Sequence, residues 1–98
     1  MEIIKKQNEN TLELALIGRL DTTTAPQLEG VMAESLDGVT LFILDFEKLE
    51  YISSAGLRLL LVGQKRMNKQ GSMVLRHVNS DINDVLEITG FSDILTIE

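Results

Sequence analysis

Two adjacent serines, Ser53 and Ser54, are the side chains whose type and position best support chemistry in this sequence. They follow a β-branched and apolar run at residues 39–44, and a helical pattern begins at Ser54. A serine at a helix N-terminus can cap the helix, which contributes about 1 kcal/mol. The same position tolerates an added phosphate, because its unpaired N–H groups and the helix dipole attract negative charge. The residues alone leave both roles open and favour capping.

Nucleophilic catalysis would require a base within hydrogen-bond reach of one serine. The chain has a single histidine, His77, which lies in a predicted strand. Residues 52–56, ISSAG, do not form the G-x-S-x-G elbow of a hydrolase. We therefore expect a protein that is not an enzyme, and a hydrolase using Ser54 and His77 ranks last among the alternatives.

Metal and nucleotide sites have little support. Asp21, Asp45 and Glu47 would approach one another if their strand ends were adjacent, but acids at strand ends are usually solvated and hard cations need several oxygen ligands. The seven glycines form neither G-x-G-x-x-G nor a P-loop, and the absence of cysteine excludes thiolate sites and disulfides. We expect no metal and no cofactor.

Length and charge restrict the class of protein further. Ninety-eight residues predict a single domain spanning 1–98. A net charge of −6 disfavours nucleic acid and anionic membranes as partners. The apolar runs are too short to cross a membrane, so we expect a soluble, cytoplasmic chain without membrane insertion. We also expect the protein to be either a monomer or a weak dimer.

The elements that must position the serines follow from hydrophobic periodicity. Strands are predicted at 1–6, 11–17, 39–44 and 72–78, with a turn at 7–10 and an exit from the second strand at 18–21. The run at 39–44 consists entirely of β-branched and apolar residues, which indicates a central strand buried on both faces, followed by a loop that leads to the serines.

Helices are predicted after each of the last three strands. The first carries an apolar stripe at Leu28–Leu36, is capped by Asp21 or one of the threonines 22–24, and ends at residues 37–38. The second runs from Ser54 to Gly71, and the third follows a cap cluster at 79–81 and ends at Gly90. The order ββαβαβα predicts an α/β fold with a mainly parallel sheet covered by helices.

Two motif blocks resemble the anti-sigma factor antagonist, or STAS domain, family. The first is Gly18-Arg19-Leu20-Asp21 followed by TTTAP, and the second is residues 44–57, LDFEKLEYISSAGL. The likeness continues through LRHV at 75–78 and ITGF at 88–91, so it covers essentially the whole chain. It implies a four- to five-stranded mixed sheet with about three to four helices and a final short strand.

The resemblance also implies a partner-switching function. Such a domain binds an anti-sigma factor serine kinase, is released when the kinase phosphorylates it, and is restored by a phosphoserine phosphatase. The modified serine corresponds to Ser54. Many members carry Asp before that serine, so Ser53 leaves a second hydroxyl as an alternative site. Asp21 matches a loop acid near the phosphorylated residue.

The partner surface implied by the resemblance is built around the start of the second helix, with Arg58 and Lys65 as exposed positions on it. Its predicted contact residues are Asp21, Thr22, Ser53, Ser54, Ala55, Gly56, Leu57 and Arg58. The alternative function is a non-catalytic STAS subunit of a transport or stressosome-type complex. In that case Ser54 is an N-cap and the same face packs on a permanent partner.

Overall fold

The computed structural model describes the whole chain, Met1–Glu98, and contains one four-stranded sheet in the order β1-β2-β3-β4. The strands are β1 (Glu2–Asn8), β2 (Thr11–Leu20), β3 (Leu41–Ile52) and β4 (Ser72–Arg76). The helices are α1 (Ala25–Ser35), α2 (Ser54–Gln70) and α3 (Ser80–Ile88), followed by a 3₁₀ turn at Phe91–Asp93. β1 is antiparallel to β2, whereas β2, β3 and β4 are parallel. The predicted α/β fold with a mixed sheet is confirmed.

The first two strands form a hairpin that is longer than predicted. β1 continues through Asn8, so the turn consists of Glu9 and Asn10 alone, with Glu9 in the left-handed region at φ 55°. β2 continues through residues 18–20, which were expected to leave the strand. This extension keeps Leu20 paired with Ile52 of β3.

β3 is one of the two inner strands, and its second half was wrongly predicted to be a loop. Residues 42–44 are buried as expected, but the strand continues to Ile52. Two register shifts against β2 insert extra residues into β3. Its buried side chains consequently recur at every third position, Phe46, Leu49 and Ile52, instead of every second. The bulges therefore conceal the strand from a period-two search.

The helices begin at polar positions and end close to the predicted glycines. Thr24 is the N-cap residue of α1 but makes no capping bond with its side chain, and Pro26 lies in the first turn. Asn79 caps α3 through its side chain, which accepts the N–H of Ile82 at 2.8 Å. α2 ends at Gly71 as predicted, whereas α1 ends at Ser35, slightly before residues 37–38.

One hydrophobic core lies between the sheet and the three helices. Leu12, Leu14 and Leu16 of β2 point into it, together with side chains from α1, α2 and α3. Ile43 of β3 is buried but lies outside this core, since it belongs to the opposite face of the sheet. That opposite face, which we call the open face, has no helix over it and carries the exposed Ile4.

The C-terminal region differs from the prediction in two respects. β4 ends at Arg76 because His77 adopts a left-handed conformation at φ 57°. The prediction that His77 lies in the strand is therefore wrong. The final short strand is reduced to a single parallel bridge between Leu75 and Ile97. Leu75 donates its N–H to Thr96 and accepts the N–H of Glu98, which covers part of the outer edge of β4.

The contact between α2 and the ends of β2 and β3 requires glycine at position 56. A Cβ there would lie 2.7 Å from Leu20 Cγ and 2.8 Å from Ile52 Cγ1, both in buried side chains. We predict that Gly56→Ala lowers the free energy of unfolding by about 1–3 kcal/mol through overpacking. Gly30→Ala is the matched control, since nothing lies within 4 Å of its added methyl. It should be neutral or stabilising by about 0.4–1 kcal/mol in urea unfolding.

Candidate functional site

Parallel pairing brings the two motif blocks together at one end of the sheet. The carboxyl ends of β2 and β3 lie side by side, and the Ser53 N–H donates to the Leu20 carbonyl at 2.9 Å. Asp21 follows Leu20 directly, and Ser53 follows Ile52. The loop acid and the serine pair, far apart in sequence, are thus placed at the same sheet end where α1 and α2 begin.

The two serines have different structural roles. Ser53 is the N-cap of α2, extended at φ −97° and ψ 175°, and its Oγ accepts the Gly56 N–H at 3.3 Å. Its carbonyl accepts the first helical hydrogen bond, from Leu57 at 2.9 Å. Ser54 is the first helical residue and is exposed, and its hydroxyl makes no hydrogen bond within the protein. Capping therefore belongs to Ser53 and leaves the Ser54 hydroxyl free.

Asp21 organises the loop between β2 and α1. Its Oδ1 accepts the Thr23 hydroxyl at 2.7 Å and the N–H groups of Thr23 and Thr24 at 3.0 and 3.1 Å. The Thr24 hydroxyl in turn accepts the Asp21 N–H and donates to the Arg19 carbonyl, both at 2.8 Å. The Thr23 hydroxyl, with these N–H groups, lowers the pKa of Asp21. Asp21 is therefore a carboxylate fixed beside the serines at neutral pH.

The remaining predicted contact residues divide by burial. Thr22, Arg58 and Lys65 are exposed and Ala55 is half-buried, whereas Gly56 and Leu57 are buried beneath the helix start. Thr22, Ala55 and Arg58 line a shallow groove between the first turns of α1 and α2. The surface at this end of the molecule is therefore formed by the exposed side chains, and Gly56 and Leu57 support it from below.

Arg19 and Tyr51 form a contact near the site that the sequence did not indicate. The guanidinium carbon of Arg19 lies 4.2 Å from the centre of the Tyr51 ring, in a cation–π arrangement. Arg19 Nε also lies 3.8 Å from Asp21 Oδ2. The two residues are register partners on β2 and β3. The register between β2 and β3 places these two residues side by side, but the bulges in β3 made that register unpredictable from the sequence.

A second polar cluster lies away from the serines, where β4 ends. The His77 Nδ1 forms a hydrogen bond of 2.9 Å with Asp45 Oδ1. Glu47 lies nearby, so that one potential ligand atom from each of the three residues lies within 4.8 Å of the other two. Asp21, which was considered with these acids, is not among them. Asp45 Oδ1 also accepts the Glu47 N–H at 3.0 Å. These bonds make the cluster a structural link between β3 and the residue after β4.

The electrostatics of this link favour an ion pair. The hydrogen bond and charge of Asp45 raise the pKa of His77. Partial burial acts to raise the pKa of Asp45, but the Glu47 N–H and the His77 ring outweigh it and lower that pKa. The His77 ring bonds to Asp45 and the Ser53 hydroxyl oxygen to the Gly56 N–H, and no hydrogen bond joins either Ser53 or Ser54 to the histidine.

No helix of the protein is long and apolar enough to span a lipid bilayer.

Capping by Ser53 predicts unequal effects of alanine at the two serines. Ser53→Ala should lower the free energy of unfolding by about 1 kcal/mol, because the Gly56 N–H loses its partner. Ser54→Ala should change it by less than about 0.5 kcal/mol, because an exposed and unbonded hydroxyl is removed. Urea unfolding of both variants measures the difference. Equal losses would show that Ser54 also stabilises the helix start.

The His77–Asp45 link predicts a pH dependence that NMR can follow without ambiguity, because the chain has one histidine. Since the folded-state pKa of His77 is raised, the ion pair stabilises the protein below about pH 6.5 and this contribution is lost as pH rises through the folded pKa. Asp45→Asn should return the His77 pKa towards about 6.5 and abolish that loss. Asp84→Asn, which removes an acid outside the cluster, is the control and should leave the titration unchanged.

Comparison with known proteins supports the resemblance noted in the sequence. The STAS domain profile matches residues 2–98. BtrV of Bordetella bronchiseptica, a proposed anti-sigma factor antagonist, is 34% identical over 99% of this chain and 85% of its own length. The anti-sigma-B factor antagonist of Bacillus subtilis is 32% identical over 94% of this chain and 85% of its own length.

The comparison with solved structures finds the same fold. Bacillus SpoIIAA, an anti-sigma factor antagonist, is 20% identical over 99% of this chain in its unphosphorylated and phosphorylated structures. The TM-scores are 0.79 and 0.78, and the matches cover 87% and 91% of those chains. With the domain profile spanning nearly every residue and the fold reproduced, this chain belongs to the STAS domain family.

Proposed function

We propose that this protein is an anti-sigma factor antagonist, a binding module without catalytic activity that is controlled by phosphorylation of Ser54. The observation that carries the proposal is the difference between the two serines. Ser53 is half-buried and holds the Gly56 N–H, whereas Ser54 is exposed with an unbonded hydroxyl. A kinase needs access to a hydroxyl that the fold does not use, and Ser54 meets that requirement.

The start of α2 can accept a phosphate without loss of the fold. The N–H groups of Ser54 and Ala55 belong to the first turn, where no helical carbonyl is available to them. A phosphate at Ser54 would lie at the positive end of the helix dipole. The nearly equal TM-scores to unphosphorylated and phosphorylated SpoIIAA support a switch that leaves the backbone fold in place.

The effect of the phosphate would therefore fall on the surface around Ser54. Phosphorylation adds about −1.5 to −2 charge beside the ionised Asp21. A partner docked on Thr22, Ala55 and Arg58 would then meet repulsion and the cost of desolvating the phosphate. The partner we propose is an anti-sigma factor serine kinase, with a phosphoserine phosphatase to reverse the modification. Such a role would place the protein in the cytoplasm.

The alternative, a subunit of a transport or stressosome-type complex with Ser54 as N-cap, receives less support. It requires Ser54 to be structural, but Ser53 makes the capping bond. The relatives with at least 30% identity described above are also antagonists by name.

Phosphorylation by a serine kinase tests the proposal. The unmodified protein and its Ser53→Ala and Ser54→Ala variants would each be incubated with ATP and every anti-sigma type kinase encoded in the same genome. Mass spectrometry should show one phosphate on the unmodified protein and on Ser53→Ala. Ser54→Ala should carry none, because the remaining hydroxyl is engaged with Gly56.

Circular dichroism would confirm that both variants are folded. Phosphate on Ser53, or equal modification of both variants, would contradict the assignment to Ser54. No modification of the unmodified protein by any of these kinases would contradict the proposed switch.

A further inference from the structure

The two edges of the sheet are treated differently. The outer edge of β4 is partly covered, because Leu75 bonds to Thr96 and Glu98. β1 forms the other edge, and its seven residues, Glu2–Asn8, have β2 on one side and nothing on the other. An uncovered edge strand presents N–H and C=O groups that another strand can pair with.

The residues of β1 that present these groups follow from the hydrogen-bond phase of the sheet. The Leu41 N–H donates to the Asn10 carbonyl, so even-numbered residues of β2 bond towards β3. Odd-numbered residues of β2 therefore bond towards β1, and their register partners there are Glu2, Ile4, Lys6 and Asn8. The intervening Ile3, Lys5 and Gln7 consequently direct their backbone groups outward.

We propose that β1 pairs with β1 of a second copy of this chain, antiparallel and centred on Ile4. In this register Ile3 of each copy lies opposite Lys5 of the other, and each of these pairs exchanges two backbone bonds, about four in all. Ile4 then meets Ile4 across the two-fold axis. The two sheets become one continuous eight-stranded sheet with both open faces on the same side.

The side chains of the open face are complementary in this register alone. Glu2 lies opposite Lys6 of the second copy, and symmetry repeats the pair, so two opposite-charge pairs flank the Ile4 contact. Both residues are exposed, and neither takes part in an ion pair within the chain. Cross-strand pairs of this kind contribute roughly 0.2–1 kcal/mol each.

The neighbouring registers that also use the outward backbone groups are reached by sliding one strand two residues along the other. One places Lys5 opposite Lys5 and Ile4 opposite Lys6. The other places Ile4 opposite Glu2 and leaves Lys6 beyond the paired segment. Like charges directly opposite are destabilising, and an apolar side chain opposite a charge gives no pair energy. The Ile4-centred register is therefore selected.

Ile4 supplies the apolar contact at the centre. It is one of the few large apolar side chains exposed in the protein, at 43%. Ala15, its register partner, and Ile17 line the open face beside it. The pairing covers Ile4 with its symmetry mate at about 4.5–5.5 Å between Cβ atoms.

The paired segment is short, so the dimer should be weak. A contact made by one seven-residue strand of each copy is small compared with stable interfaces, which bury roughly 1,200 Å² or more, so self-association should become visible only at high protein concentration. The dimer joins the β1 edges and does not involve Ser53 or Ser54. Its failure would leave the proposed phosphorylation switch intact, and the converse also holds.

Charge reversal provides the test, read out by sedimentation equilibrium from about 10 μM to 1 mM, where binding of this strength changes the average mass. The wild-type chain should approach twice the monomer mass. Glu2→Lys alone and Lys6→Glu alone each create two like-charge pairs and should weaken dimerisation about tenfold. An equimolar mixture of the two variants should restore it, because at both positions the lysines of one variant then face the glutamates of the other.

The double variant E2K/K6E should also dimerise as the wild type does. Asp84→Lys is the matched control, since it reverses an exposed charge on α3, which packs near β3 and away from the β1 edge, and should leave dimerisation unchanged. Ile4→Lys serves as a second probe in case Lys6→Glu destabilises the hairpin opposite Glu13. A wild type that stays monomeric at 1 mM, single swaps that dimerise normally, or a mixture that shows no recovery would each overturn the proposal.

Discussion

The pairing of β2 with β3 through to their last residues is the interaction on which the rest of the structure depends. The bulges in β3 take up its extra residues, so that Leu20 and Ile52 still lie side by side. The Ser53 N–H then bonds to the Leu20 carbonyl, and α2 starts directly from that contact. Gly56 completes it, because only a residue without a side chain can lie against Leu20 and Ile52.

This contact gives the two neighbouring serines different structural roles. Ser53 is held by its backbone to β2 and by its side chain to Gly56, so it stabilises the helix start. The Ser54 hydroxyl has no partner within the fold and is therefore free for the proposed modification. Asp21, fixed by its threonine bonds, adds a negative charge at the same place. In the proposed switch, a phosphate at Ser54 would change this surface without disturbing the packing beneath it.

Much of the fold could be predicted because its signals are local. The alternation of residues 11–17, the apolar run at 39–44 and the helix that ends at Gly71 depend on periodicity and on glycine, and each element is present. The second half of β3 could not be recognised, because the bulges change the burial period from two to three. His77 was wrongly predicted to be a strand residue, because nothing in the sequence LRHV indicates a left-handed conformation at that position.

The candidate site was predictable in its members but not in their roles. Ser53, Ser54 and Asp21 were identified from sequence, whereas the assignment of the cap to Ser53 depends on the backbone angles at the strand–helix junction. The Arg19–Tyr51 contact and the His77–Asp45 link depend on the register between strands. Register is set by pairing across the sheet, which a single sequence does not display.

The most direct test of the central claim is a binding isotherm. Calorimetry would compare the unmodified protein with the same protein stoichiometrically phosphorylated at Ser54, each titrated with the anti-sigma factor kinase that modifies it. The proposed switch predicts that the phosphorylated form binds at least about tenfold more weakly while its circular dichroism spectrum is unchanged. Equal affinities of the two folded forms would contradict it.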